Sequence, residues 1–220
     1  MAGWLQIGLL VALLAAAYRP LGDYMAWVFT SPRHLRVERW CYRLCRIDAG
    51  AEQTWRGYAG SLLALSAGSV LLLYAMLRLQ SYLPLSLGHG AVPPALAFNT
   101  AVSFVTNTNW QNYSGEQTLG YGGQMAGLTV QNFVSAAVGL AVALALVRGL
   151  TRAGSRTVGN FWVDVVRASV RILLPLAFIF AMVLVTQGVV QNLNGDRVVT
   201  TLSGGTLQIP GGAIASQEVI

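Results

Sequence analysis

The sequence predicts an all-α membrane protein with four transmembrane helices, and with one short re-entrant helix and a polar loop between the second and third. Three observations carry this expectation. Of 220 residues, 55% are hydrophobic and only 10% charged, where a soluble domain carries roughly 25% charged residues. The charges are clustered, which leaves four long uncharged stretches. One further apolar segment is too short to cross a bilayer and too apolar for an ordinary loop.

A helix needs about 20 apolar residues to cross the hydrocarbon core. Met1 to Tyr18 carries no charge and lacks the basic start of a signal peptide, so a spanning helix is expected there. Gly57 to Leu77 lies uncharged between Arg56 and Arg78 and forms the second span. Met125 to Val147, the third, is rich in Gly, Ala and Ser, which lets neighbouring helices approach closely. Ile172 to Val190 is the fourth, with Pro175 near its start, where a missing amide costs least.

The 14 basic residues are all arginine. Arg19, Arg33, Arg36, Arg39, Arg43, Arg46 and Arg56 fall between spans one and two, and Arg148, Arg152, Arg156, Arg167 and Arg171 between spans three and four. The positive-inside rule makes that side cytoplasmic, with the N-terminus outside. The net charge of +6 thus reports membrane orientation and not a nucleic-acid surface. Cys41 and Cys45 have no second pair to complete a zinc site, and His34 and His89 stand far apart. Neither a P-loop nor a dinucleotide fingerprint occurs, and no grouping of nucleophile, base and acid suggests an enzyme.

Ser31 to Ile47 reads as a surface helix, with Ser31 as N-cap and Pro32 at the first helical position. Val37, Trp40, Cys41, Leu44 and Ile47 recur at helical spacing opposite Arg36, Arg39, Arg43 and Arg46. That pattern suits an anchor on anionic lipid or a docking surface for a cytoplasmic partner. In the tail, Val198–Leu202 and Thr206–Ile209 flank Ser203-Gly204-Gly205 and read as an exposed hairpin.

The segment that carries chemistry lies between spans two and three. Pro93-Pro94 opens a short apolar helix over Ala95 to Val105, and the chain then turns polar at Thr106-Asn107-Thr108-Asn109-Trp110-Gln111. Non-helical backbone at membrane depth is tolerated only where it is buried in protein or lines a wet cavity. Carbonyls of such a returning stretch can replace the hydration shell of a cation, and the negative end of the preceding helix dipole favours the same charge. A rival is Thr118-Leu119-Gly120-Tyr121-Gly122, which imitates the Thr-Val-Gly-Tyr-Gly filter of potassium channels. No apolar helix leads into it, so it is expected to be a glycine-rich surface connection in which Gly120→Ser does little.

The block from Asn99 to Glu116, followed by Gln124 to Phe133, closely resembles the potassium-binding A subunit of bacterial Kdp pumps, as do Arg19-Pro20-Leu21-Gly22, Val37-Glu38-Arg39, Trp162-Val163-Asp164 and Ala215-Ser216-Gln217-Glu218. The resemblance implies a channel-like fold of four pseudo-repeats, each a helix, a pore loop and a helix, after an extra N-terminal helix. On this chain it implies an extra helix over 1–18, a cytoplasmic segment over 19–56, a first repeat over 57–149 and a truncated second repeat over 150–220, with Ala215 to Ile220 opening a second pore helix. The potassium-binding filter would comprise Thr106, Asn107, Thr108, Asn109 and Gln111. The subunit would be non-catalytic and need no cofactor. It would pass extracellular potassium to a separate P-type ATPase subunit that uses the ATP, alongside small accessory subunits, in the bacterial inner membrane. The alternative expectation is a small structural or regulatory membrane protein without transport activity.

Overall fold

The computed structural model describes residues 2–152, 154–195, 197–209 and 211–219. The chain divides into two compact units, Met1–Ile47 and Asp48–Ile220. Four of its helices are long and apolar enough to cross a membrane: Gly3–Thr30, Trp55–Arg78, Gly123–Thr151 and Phe161–Thr186.

The first unit consists of α1 (Ala2–Thr30) and α2 (Arg36–Leu44). Helix α1 runs well past Tyr18, where the sequence reading ends the span. Arg19 and Asp23 lie one turn apart on one face, and a charged side chain can reach toward the interface without interrupting backbone hydrogen bonds. The helix stops at Thr30, just before Ser31, whose α conformation Pro32 disfavours. Helix α2 starts later than expected, at Arg36 instead of after Ser31. The Ser31 hydroxyl accepts the Arg33 amide at 3.3 Å and so closes a turn, while Glu38 Oε2 accepts the Leu35 amide at 2.8 Å and takes over the cap. Val37, Trp40 and Leu44 are all exposed, so the apolar stripe read from the sequence is an open face.

The second unit is built on α3 (Trp55–Arg78), α4 (Pro94–Val105), α5 (Gly115–Thr118), α6 (Val130–Thr151), α7 (Phe161–Arg167), α8 (Leu174–Thr186) and α9 (Ile214–Glu218). A π-helical stretch, Gly123–Thr129, leads into α6, and another, Ala168–Leu173, joins α7 to α8 into one long helix. The third span therefore includes Arg148, and the fourth starts at Phe161 and not at Ile172. Pro175 sits inside it, directly after the π stretch, whose altered register can absorb the missing amide.

The sequence reading misplaced this start because it assigned Asp164, Arg167 and Arg171 to a loop. All three are buried side chains on the helix. The Asn160 side chain caps the new start, accepting the amides of Trp162 at 3.1 Å and Val163 at 3.2 Å. Arg148 grips Asp164 with two nitrogens, at 2.5 and 3.0 Å, and the Tyr58 hydroxyl lies 3.1 Å from the same carboxylate and 2.7 Å from the Ala141 carbonyl, which share its one proton. This node ties α3, α6 and α7 together at the arginine-rich end of the bundle. Gly159 is required beside it: its φ is +108°, and a Cβ there would collide with the Arg148 guanidinium.

Two small antiparallel sheets complete the unit. β1 (Gln53–Thr54) pairs with β2 (Thr157–Gly159), and β3 (Arg197–Thr200) pairs with β4 (Thr206–Ile209) in the register Arg197↔Ile209 to Thr200↔Thr206. The second pair is the hairpin expected from the sequence. The first was not expected, because two-residue strands leave no periodicity to read.

Candidate functional site

Helix α4 opens with Pro94 at its first position and buries Ala97, Thr100, Ala101 and Phe104, the i, i+3, i+4, i+7 spacing of one helix face. That face packs with Leu73 and Leu77 of α3, Val92, Leu119 and Leu128. Lipid tails are as apolar as leucine, so within a bilayer these contacts contribute close packing more than transfer from water. They hold the C-terminal end of α4 in a fixed place.

The polar turn is organised around Ser103. Thr106 closes the helix, donating its amide to Val102 O at 2.9 Å. The amides of Thr108 and Asn109 both turn back to the Ser103 carbonyl, at 2.9 and 3.3 Å, and that of Asn107 to Phe104 O at 3.3 Å. The Trp110 amide donates to the Ser103 hydroxyl at 2.7 Å. Such a fold-back needs left-handed residues, and Asn107 and Asn109 both have φ of +57°. Asparagine enters that region more readily than other non-glycine residues. The result is a nest of amides closed around a carbonyl oxygen.

The consequence lies on the other side of the same peptides. Among the described residues, no carbonyl from Thr106 to Gln111 accepts a hydrogen bond. Thr106 to Trp110 are exposed and Gln111 is half-buried. The threonine hydroxyls brace the turn internally: Thr106 Oγ1 lies 2.9 Å from Val102 O and 3.0 Å from Thr108 Oγ1. The return path is pinned by a 3.0 Å hydrogen bond between the Tyr113 hydroxyl and Thr100 Oγ1. The structure thus gathers Thr106, Asn107, Thr108 and Asn109 into one turn and leaves Gln111 just beyond it. It also changes the expected electrostatics, because the Val102, Ser103 and Phe104 carbonyls are occupied by the turn's own amides. The unpaired oxygens available to a cation are those of the turn and of Val105, the last residue of α4.

The rival segment behaves differently. Leu119, Gly120 and Tyr121 are buried, so the expectation of a surface connection is overturned. Its carbonyls are taken: Thr118 O accepts from Gln80 Nε2 at 3.0 Å, Leu119 O from Gln124 Nε2 at 2.8 Å, and Gly120 O from the Gln124 amide at 3.0 Å. A Cβ on Gly120 would lie 2.5 Å from Ser86 backbone atoms, and one on Gly122 2.3 Å from Pro84 O. These glycines are there for close approach of two backbones.

Sequence reasoning missed Ser103 and Ser135 as parts of the site. Ser103 lay inside the motif without a distinguishing feature, although its position one turn before the polar run was a usable signal. Ser135 on α6 donates toward Asn107 Oδ1 at 3.2 Å, a contact that no sequence spacing announces. The oxygens of this turn belong to peptide carbonyls, side-chain amides and threonine hydroxyls, and all are neutral.

Four long apolar helices and a turn of unpaired neutral oxygens define a multi-pass, all-α membrane protein with a candidate cation site. The family model described as the potassium-transporting ATPase A subunit matches residues 8–220, and the chain belongs to that family. It is 60% identical over 219 residues to the potassium-transporting ATPase potassium-binding subunit of Kineococcus radiotolerans and 56% identical over 220 residues to that of Clavibacter sepedonicus. Each alignment covers 100% of this chain and 39% of the relative. With the Frankia alni protein of the same description the identity is 54% over 253 residues, 43% of that relative. The chain therefore spans about two fifths of the length of these relatives.

Proposed function

We propose that this chain contributes one filter segment, Thr106 to Gln111, to the potassium path of an ATP-driven uptake system. The observation that supports the reading is the orientation of the turn: the amides of residues 108–110 bond Ser103 and that of Asn107 bonds Phe104 O, while the carbonyls of 106–111 accept no hydrogen bond among the described residues. Partly dehydrated potassium is coordinated by such neutral oxygens, several loops sharing one ion. The segment binds potassium from the extracellular side and passes it toward a separate P-type ATPase subunit. ATP is hydrolysed on that partner, this chain is non-catalytic, and small accessory subunits complete the complex. The arginine distribution supports a bacterial inner-membrane topology with the N-terminus outside, and the exposed Val37, Trp40 and Leu44 of α2 suit contact with lipid.

The test is charge substitution in a full-length subunit assembled with its ATPase partner. A unit charge at roughly 6–8 Å, with an effective dielectric constant of about 20, changes the energy of a bound cation by about 2–3 kcal/mol. Gln111→Arg is expected to weaken apparent potassium affinity by roughly thirtyfold or more. Asn109→Asp is expected to tighten binding of potassium and rubidium alike and so flatten discrimination between them. Normal affinity and selectivity in both assembled variants would remove the filter from this segment.

A further inference from the structure

We infer that Ser135, on the third span, is a positioning residue that fixes the Asn107 side chain and with it the geometry of the ion-binding turn; this rests on the filter reading above. Three observations converge on it. Ser135 is only 4% exposed, and its hydroxyl lies 3.2 Å from Asn107 Oδ1, the single side-chain hydrogen bond between the turn and α6 among the described residues. Asn107 is one of the two residues whose left-handed conformation turns the carbonyls outward. The hydroxyl also sits in a buried polar patch on an otherwise apolar span. Gln131 and Asn132 are each 8% exposed, and Asn132 Oδ1 has no donor among the described residues. Polar groups buried in a spanning helix mark functional paths more often than structural filler.

The chemistry of the hydroxyl sharpens the assignment. Ser135 Oγ also lies 3.1 Å from the carbonyl of Asn132, and a serine has one proton to give. Either that proton is shared between the two oxygens, or it goes to Asn132 and the Asn107 amide turns over to donate to Ser135, the two amide ends being nearly equivalent in shape. In both arrangements one hydrogen bond ties the turn to α6. In the second, the Asn107 amide oxygen points away from α6, to the same open side as the backbone carbonyls. Nothing else among the described hydrogen bonds holds that side chain, so removing the hydroxyl frees it.

The test is made in a full-length subunit assembled with its ATPase partner, reading apparent potassium affinity and potassium-over-rubidium discrimination. Loss of one such hydrogen bond corresponds to about five- to tenfold in a binding constant. Ser135→Ala is therefore expected to weaken potassium affinity about that much and to reduce discrimination. Ser135→Thr, which keeps the hydroxyl, restores both. In an Asn107→Ala background, Ser135→Ala adds no further effect on either quantity. A Ser135→Ala subunit with wild-type affinity and discrimination, alongside an affected Asn107→Ala subunit, overturns the positioning role and leaves the filter in place. Additive effects, or a Ser135→Thr variant no better than alanine, overturn it as well. An Asn107→Ala subunit that binds potassium normally overturns the filter reading itself, and the positioning role falls with it.

Discussion

The turn at Thr106–Gln111 and the segment at Thr118–Gly122 lie a few residues apart in one unit, and they use their backbone carbonyls in opposite ways. In the first, amides fold inward onto Ser103 and the carbonyls accept nothing. In the second, the carbonyls of residues 118–120 are bonded to Gln80 and Gln124, and the glycines are pressed against the backbone of residues 84–86. The second has the letters of a channel filter, but its carbonyls from Thr118 to Gly120 are occupied. The first shares only threonine with it, and its asparagines do the work that glycines do elsewhere. Coordination chemistry is decided by which backbone groups remain unpaired, and residue identity reports that only indirectly.

The largest expected effect comes from Gly120→Ser. Its Cβ meets main-chain atoms at 2.5 Å, and backbone cannot rotate aside as a side chain can, so the cost lies at the upper end for overpacking, about 3 kcal/mol or more. Thermal unfolding and yield of the assembled complex should show a strong loss of folded protein. A stable variant with altered ion selectivity would reverse the contrast and return the filter to the look-alike.

Next in size is Asp164→Ala, whose carboxylate bonds Arg148 and Tyr58. Removing it leaves the half-buried Arg148 guanidinium with the Val158 carbonyl, at 3.2 Å, as its remaining partner, and the loss of such charge-assisted hydrogen bonds costs about 2–3 kcal/mol. The melting temperature should fall, while protein that remains folded keeps its potassium affinity. If affinity falls with stability, ion binding is a property of the whole bundle, and the contrast between the two segments loses its meaning.

The smallest effect is expected for Ser103→Ala. It removes the acceptor of the Trp110 amide and keeps the carbonyl that receives residues 108 and 109, so about 1 kcal/mol is at stake. A several-fold weaker potassium affinity with an almost unchanged melting temperature is the expected pattern. The reverse pattern, a lower melting temperature with normal affinity, would make Ser103 part of the packing of α4 and not of the turn.

Much of this architecture was legible because a bilayer imposes simple demands. Trp55–Arg78 matches the second expected span within two residues at each end, since Arg56 and Arg78 bracket an uninterrupted apolar run. Pro94 and the polar onset at Thr106 marked both ends of α4. The reading failed where charge was treated as a boundary: α1 runs through Arg19 and Asp23, and the fourth span carries Asp164, Arg167 and Arg171 in its first three turns. A charge ends a span only when it has no partner inside, and partners such as Arg148 lie far away in sequence.

The sequence by itself determined that the chain crosses a membrane, that a short apolar helix ends in a polar run, and which residues that run contains, because hydropathy, proline and asparagine act through local backbone physics. Tertiary structure decided which carbonyls stay unpaired, that Gly120 is buried against Ser86, and that Ser135 reaches Asn107. The last two depend on contacts between residues 34 and 28 positions apart, a range at which no local preference acts; the first depends on the amides of residues 108–110 folding back onto Ser103 while no distant donor among the described residues reaches the carbonyls they leave.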